Sequence, residues 1–197
     1  MYLYLVRHGQ SEGNVLRTFH GQTDYPLTEL GRQQARQAGE KMHADGVTFT
    51  RCCASDLCRA WDTALACLEG REVKPECCPA LREQSVGQME GLSWDEMGER
   101  FPGLREKYLQ DWANTTPPGG ESGWEMLDRV AACVDEIIAR GEDTLIAAHF
   151  GSLSLILVHL GLMGEDEAFA EKWAIGQGTY SVIRIEDGRA ELIHFNR

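Results

Sequence analysis

Arg7 and His8 stand side by side at the end of an apolar run, Tyr2–Val6, and Gly9 follows at once in the stretch "LVRHGQSEGN". His149 closes another apolar run, in "LIAAHFGS", with Gly151 two residues on. Arg59 falls one turn into the helix expected after a third run, in "RCCASDLCRA". Taken singly these residues say little. A histidine at a strand end is most often a hydrogen-bonded structural group, and an arginine on a helix is most often a surface ion-pair partner. Two histidines and two arginines at corresponding strand ends instead point to one cationic pocket.

Such a pocket suits a phosphate monoester. Guanidinium forks match the oxygens of the dianion, and a neutral imidazole can attack phosphorus to form a phosphohistidine, which splits the transfer into two easier steps. A second imidazole, when protonated, helps to hold the charge that spreads over the equatorial oxygens. Glycine after the nucleophile lets backbone approach the ligand. Fixed cationic donors supply the electrostatics, so no metal is expected. The leaving oxygen needs a proton, and "PALREQSVGQMEGLSWDE" offers Glu83, with Glu90, Asp95 and Glu96 carrying the same chemistry.

The elements that must position these groups are readable as patterns. Strands are expected at Tyr2–Val6, Val47–Cys52, Thr144–His149, Thr179–Ile185 and Ala190–Phe195, with Asp187-Gly188 as a hairpin turn between the last two. Helical periodicity covers Thr28–His43, Asp56–Leu68, Ser93–Trp112, Ser122–Arg140 and Ser152–Leu160. Ser93 with Glu96 and Ser122 with Glu125 have capping-box spacing; Thr28 and Ser55 precede two further helices as caps, and Gly161 falls where a left-handed cap belongs. Strands alternating with helices predict an α/β fold: a three-layer α/β/α sandwich around a mostly parallel sheet, formed by residues 1–197 as one domain. In such sheets the ligand crevice lies beyond the carboxyl ends of the strands.

Composition bounds the partners. A net charge of −12 over 197 residues disfavours a nucleic acid and an acidic membrane surface. Met1 runs straight into a strand pattern, without the basic and apolar regions of a signal peptide, so a cytoplasmic protein is expected. The seven cysteines include two adjacent pairs, Cys52-Cys53 and Cys77-Cys78, which suits neither a disulfide framework nor a zinc site, and most are expected as buried thiols.

The motifs "VRHGQSEGN", "ASDLCRAWDTA", "LREQSVGQMEG", "PPGGES" and "AAHFGSL" occur in the order found in the histidine phosphatase superfamily, and nearly the whole chain resembles its phosphoglycerate-mutase-like branch. The resemblance implies His8 as nucleophile, Arg7, Arg59 and His149 as the phosphate pocket, and Glu83 as proton donor. It implies substrate contacts from Asn14, Gln10 and Ser11, and from Gln22 and Thr23 in "GQTDYP". Cofactor-dependent mutases of this branch usually follow the acidic residue with Arg-His-Tyr-Gly and carry adjacent arginines downstream. Here Glu83 is followed by Gln84-Ser85-Val86-Gly87, and no arginine pair lies between Phe101 and Gly120. The resemblance therefore implies a phosphatase acting on a small phosphorylated metabolite, without cofactor. "LREQSVGQMEGLSWDEM" and "PPGGESGWEML" are most similar to the alpha-ribazole phosphatase group of cobalamin synthesis. Gly13 and Met89 depart from that group, where tryptophan is common, which thins the aromatic surface expected at the pocket mouth. Trp94, Trp112 and Trp124 would wall the pocket or pack the elements that cover it. A mutase, and a phospho-ligand binding domain without turnover, are the other readings. A homodimer through an exposed edge or helix is compatible with the pattern.

Overall fold

The computed structural model describes residues 1–164, 167 and 171–197. Among them six strands form one sheet: β1 (Tyr2–Arg7), β2 (Arg51–Ala54), β3 (Pro75–Cys77), β4 (Thr144–Ala148), β5 (Tyr180–Glu186) and β6 (Arg189–His194), in the order β3-β2-β4-β1-β5-β6. The first four in that order run parallel, β5 returns antiparallel to β1, and β6 pairs antiparallel with β5. Seven α-helices accompany them: α1 (Glu12–Leu16), α2 (Glu29–Ala44), α3 (Cys58–Cys67), α4 (Trp94–Arg100), α5 (Leu104–Gln110), α6 (Gly123–Ala139) and α7 (Phe150–His159).

Strand residues alternate between two faces, and each face feeds its own core. Leu3, Leu5, Cys53, Ile146 and Ala148 pack with Met126, Val130 and Val134 of α6 and Leu153 and Ile156 of α7. Tyr4, Val6, Cys52, Ala54, Leu145 and Ala147 pack with Ala38 and Met42 of α2 and Ala64 and Cys67 of α3. This is the expected α/β/α sandwich. A third cluster, Val86, Met89 and Met97 with Phe19, Leu92, Phe101 and Leu104, builds a cap from α4, α5 and the loops beside them.

Several local expectations change. The second strand begins at Arg51 rather than Val47, because Gly46, at φ +69°, turns the chain out of α2 and the Val47 amide is still bonded to the Met42 carbonyl. β3 carries no apolar alternation; it is a three-residue edge strand opened by Pro75, whose missing N–H is tolerated there. The segment Ser93–Trp112 is two helices, not one, because Pro102 and the left-handed Gly103, at φ +80°, break it. The short helix α1 had no sequence expectation. The capping boxes at Ser93 and Ser122, the cap at Thr28 and the left-handed Gly161 are all present, and Asp187-Gly188 turns the β5–β6 hairpin with both residues at positive φ. The cysteines are free: Cys52, Cys53 and Cys67 are buried, Cys77 is exposed, and the other three lie between. No helix among the described residues is long and apolar enough to cross a membrane.

Candidate active site

β2, β4 and β1 are neighbours in the sheet and end at the same edge. The ladder continues one residue beyond each strand, through Ser55 N–H to the Ala147 carbonyl at 3.0 Å and His8 N–H to the Ala148 carbonyl at 3.1 Å. Ser55, His149 and His8 therefore stand in a row on adjacent strand ends. All three are buried. The two imidazoles meet edge to face with ring centroids 5.1 Å apart.

His8 Nδ1 lies 2.7 Å from the carbonyl oxygen of Gly9. A carbonyl only accepts, so Nδ1 carries the proton and Nε2 keeps its lone pair. Burial first, and then the Arg59 charge, push His8 well below the ordinary imidazole value of 6.5, so the ring is neutral at pH 7. This is the protonation state a nucleophile needs.

The cations surround this row. Arg59 is fully buried at the second position of α3, and its guanidinium donates to the carbonyls of Gly21 at 2.8 Å and Thr23 at 2.9 Å. Arg7 donates to the Ile175 carbonyl, and its guanidinium lies 5.1 Å from the Phe150 ring centroid. Arg7 Nε, Arg59 Nε and His149 Nδ1 are buried and make no full hydrogen bond among the described residues. Buried polar nitrogens left unpaired are costly in a protein, and the Nε–H donors of two neighbouring arginines fit a ligand rich in acceptors.

Glu83 reaches the site from the loop after a 3₁₀ turn, Pro79–Leu81. Its carboxylate accepts from the Gly151 amide at 3.1 Å and the Gln84 amide at 3.0 Å. A Cβ at position 151 would stand 2.2 Å from Glu83 Oε1, so only glycine admits the carboxylate there. The loop itself hangs on Arg129, which sequence reasoning missed. Arg129 donates to the carbonyls of Ala80, Arg82 and Glu83 and pairs with Glu121, whose Oε1 accepts from the Ser85 amide. Nothing in the local sequence distinguishes Arg129 from a surface arginine on an amphipathic helix; only the packing of α6 against the 3₁₀ turn does.

Gly9 also has a packing reason that the sequence did not show. A Cβ on it would meet the Gly31 carbonyl oxygen at 2.2 Å, and a Cβ on Gly31 would meet the Gln10 carbonyl at 1.9 Å. The two glycines let the start of α2 pack against the loop after His8, backbone on backbone. Gly9 N–H donates to Thr63 Oγ1 of α3.

The other residues implied as substrate contacts are also tied into the loops around the site. Gln10 accepts from Thr28 Oγ1, and Ser11 caps α1 and donates to Asn14 Oδ1, which also accepts from Gln177. Gln22 donates to the Glu83 carbonyl, while Glu90 accepts from the Gln22 amide and the Thr23 hydroxyl. Glu90 thus holds the "GQTDYP" loop that presents carbonyls to Arg59. Ser55 does not cap α3: the helix begins at Cys58, whose amide donates to Asp24 from that same loop, and the Ser55 hydroxyl turns to His149 instead. Met89 is buried in the cap core rather than at the mouth, and the space beside Gly13 is filled by the Tyr25 and His20 rings.

Beyond Glu83 opens a cavity of about 490 Å³. Phe19, Trp94, Tyr108, Trp112 and Phe150 wall it, with Thr18, His20, Glu83 and Gln84 as its polar lining, and none of the lining residues is lysine or arginine. Trp94 and Trp112 thus wall the cavity as expected, whereas Trp124 sits elsewhere and donates to Asn114. Among the described residues no three His, Cys, Asp or Glu side chains are placed to hold a metal ion.

The family model for the histidine phosphatase superfamily (branch 1) matches residues 3–197. The chain belongs to this superfamily. Among curated members it is 36% identical over 181 residues to a 2,3-bisphosphoglycerate-dependent phosphoglycerate mutase of Nitrobacter winogradskyi, covering 88% of this chain and 87% of that protein. It is 33% identical over 195 residues to the adenosylcobalamin/alpha-ribazole phosphatase of Salmonella typhimurium, covering 98% and 94%. The crystal structure of the alpha-ribazole phosphatase from Shigella flexneri superposes with a TM-score of 0.92 at 28% identity, over 100% of this chain and 96% of that one. The proteins similar to this chain thus include both mutases and phosphatases.

Proposed function

We propose that the chain is a phosphatase that hydrolyses a small phosphate monoester through phospho-His8, with alpha-ribazole 5'-phosphate of cobalamin synthesis as its substrate, a reading supported by its similarity to alpha-ribazole phosphatases. His8 Nε2 attacks phosphorus while Arg7, Arg59 and His149 hold the nonbridging oxygens. Glu83 gives its proton to the departing alcohol, then takes one from the water that attacks phosphohistidine, which returns free His8 and phosphate.

The observation that carries the choice of phosphatase is the aromatic cavity with no lysine or arginine in its lining. A phosphoglycerate carboxylate or a second phosphate would find no lysine or arginine among the described lining residues, with Arg7 and Arg105 present only behind the Phe150 and Trp94 rings. A planar base on a ribose would instead stack on the rings. The identity to phosphoglycerate mutases keeps mutase activity as the rival reading.

The test is kinetic and chemical. Brief exposure to substrate is expected to leave an acid-labile phosphohistidine on the wild-type protein, and His8→Ala is expected to lose hydrolysis of p-nitrophenyl phosphate while remaining folded. Full hydrolysis by a folded His8→Ala protein overturns the mechanism. Conversion of 3-phosphoglycerate that depends on 2,3-bisphosphoglycerate, faster than any ester hydrolysis in a phosphometabolite panel, overturns the choice of phosphatase.

A further inference from the structure

The hydrogen bond between Ser55 Oγ and His149 Nε2, 2.8 Å long, joins two fully buried side chains on adjacent strand ends. We propose that Ser55 is a positioning residue: it holds His149 as the Nδ1–H tautomer, so that an uncharged imidazole offers a hydrogen-bond donor to the phosphoryl oxygens. This rests on the phosphatase reading for its purpose, though not for its chemistry.

The assignment follows from the inventory of donors and acceptors. Ser55 Oγ already accepts from the Leu57 amide at 3.4 Å. Its own hydrogen has no acceptor other than His149 Nε2 among the described residues. Donation into Nε2 uses that hydrogen and requires a lone pair on Nε2, which leaves the ring proton on Nδ1. Nδ1 is buried and makes no full hydrogen bond; the Ser152 amide at the head of α7 faces the ring in a capping-box arrangement and competes for an Nδ1 lone pair, so Ser55 and the bound oxyanion together must outweigh it. In the opposite tautomer the serine hydrogen would be stranded, and a bare Nδ1 lone pair would face the phosphoryl oxygens.

The surroundings explain why a neutral donor is used in place of an imidazolium. Arg7 and His8 face His149 from the end of β1, Arg59 from α3 and His20 from the loop before α2; burial first, and then the Arg59 charge, with smaller contributions from the other three, push the ring well below 6.5. The carboxylate of the site, Glu83, is bonded to the Gly151 and Gln84 amides and not to His149. A charged His149 would stand among cations without a counter-charge in the free protein. Ser55 thus gives the pocket a third donor without adding a third permanent charge.

The first test needs no turnover. In protein carrying ¹⁵N-labelled histidine, the His149 nitrogens at pH 7.5 are expected to show Nδ1 protonated and Nε2 bare, with inorganic phosphate or vanadate as the bound oxyanion. An Nε2–H tautomer or an imidazolium overturns the proposal whether or not the protein is a phosphatase. The second test is Ser55→Ala. The ring is then free to turn its lone pair toward the oxyanion, and kcat/KM and vanadate affinity are expected to fall about tenfold at pH 8, the worth of one hydrogen bond to a charged group. The deficit should shrink toward pH 5, because with a dianion bound the imidazolium carries Nδ1–H regardless of Ser55. Ser55→Thr, which keeps the hydroxyl, is expected to show the same tautomer as wild type. A loss in Ser55→Ala that is equal at all pH values, or no loss at all, overturns the proposal.

Discussion

Gly151→Ala isolates the proton donor from the rest of the site. The added Cβ would start 2.2 Å from Glu83 Oε1 and 3.2 Å from its Cδ. Carbon and oxygen need more than 3 Å, so the carboxylate must withdraw by about 1 Å. It can do so, because the obstruction is the free end of a side chain and not backbone. The bond from the Gly151 amide to Oε2 is lost with it. Alanine is otherwise welcome at this second position of α7, where it gains up to about 1 kcal/mol of helix propensity over glycine. The expected variant is therefore folded, with His8, Arg7, Arg59 and His149 in place and Glu83 misplaced. A displacement of about 1 Å in a catalytic group costs on the order of 10²-fold, or about 2.7 kcal/mol of barrier. That loss should appear in kcat/KM for an alkyl phosphate, whose leaving oxygen needs the proton. It should be largely absent for p-nitrophenyl phosphate, whose leaving group departs without one. Steady-state assays of both esters, with Glu83→Gln as benchmark, give the ratio directly. Equal losses on the two esters, or an unchanged alkyl-ester rate, would refute the reasoning from Glu83 as general acid.

Two further outcomes follow from the same geometry. Arg129→Met removes the donor that holds three carbonyls of the acid loop and strands Glu121; the pair is mostly buried, so urea denaturation should show a loss of about 3 kcal/mol, with alkyl-ester turnover impaired as well. Unchanged stability would mean that Glu121 and the loop find other partners. His8 and His149 are held below the imidazole value of 6.5, chiefly by burial, so the unfolded chain binds the protons that the native state refuses. Stability is then complete above pH 6.5 and declines as the pH falls below it, by up to about 1.4 kcal/mol per pH unit for each ring. Urea midpoints that stay level from pH 7.5 to 5.5 would contradict burial of the neutral rings.

Arg7-His8 and His149 were legible as candidate site residues because they sit where strands end, and strand ends are marked by the switch from apolar runs to these side chains. Periodicity and capping boxes likewise placed the main helices, since both depend on neighbours within a turn or two. Three features were not legible for one reason: Ser55 as a partner of His149 rather than a cap, the packing of Gly9 on Gly31, and Met89 as part of the cap core rather than the mouth. Each is settled by a partner distant in sequence. Ser55 meets His149 across 94 residues because β2 and β4 are adjacent, and sequence order does not encode that adjacency. Gly9 is required by the Gly31 carbonyl of α2, and Met89 is drawn inward by Met97 and Phe101.

The chain's local chemistry marks which side chains are candidates to bind and attack a phosphate and which segments carry them, because residue type and short-range hydrogen bonding suffice for that. The protonation state of those side chains belongs to the folded molecule. His8 is neutral because the sandwich buries it, its tautomer follows from the Gly9 carbonyl, and Glu83 reaches the pocket only through Gly151 on α7 and Arg129 on α6. Desolvation and hydrogen-bond partnership depend on distances through space, and those come into being only when the sheet brings its strand ends together.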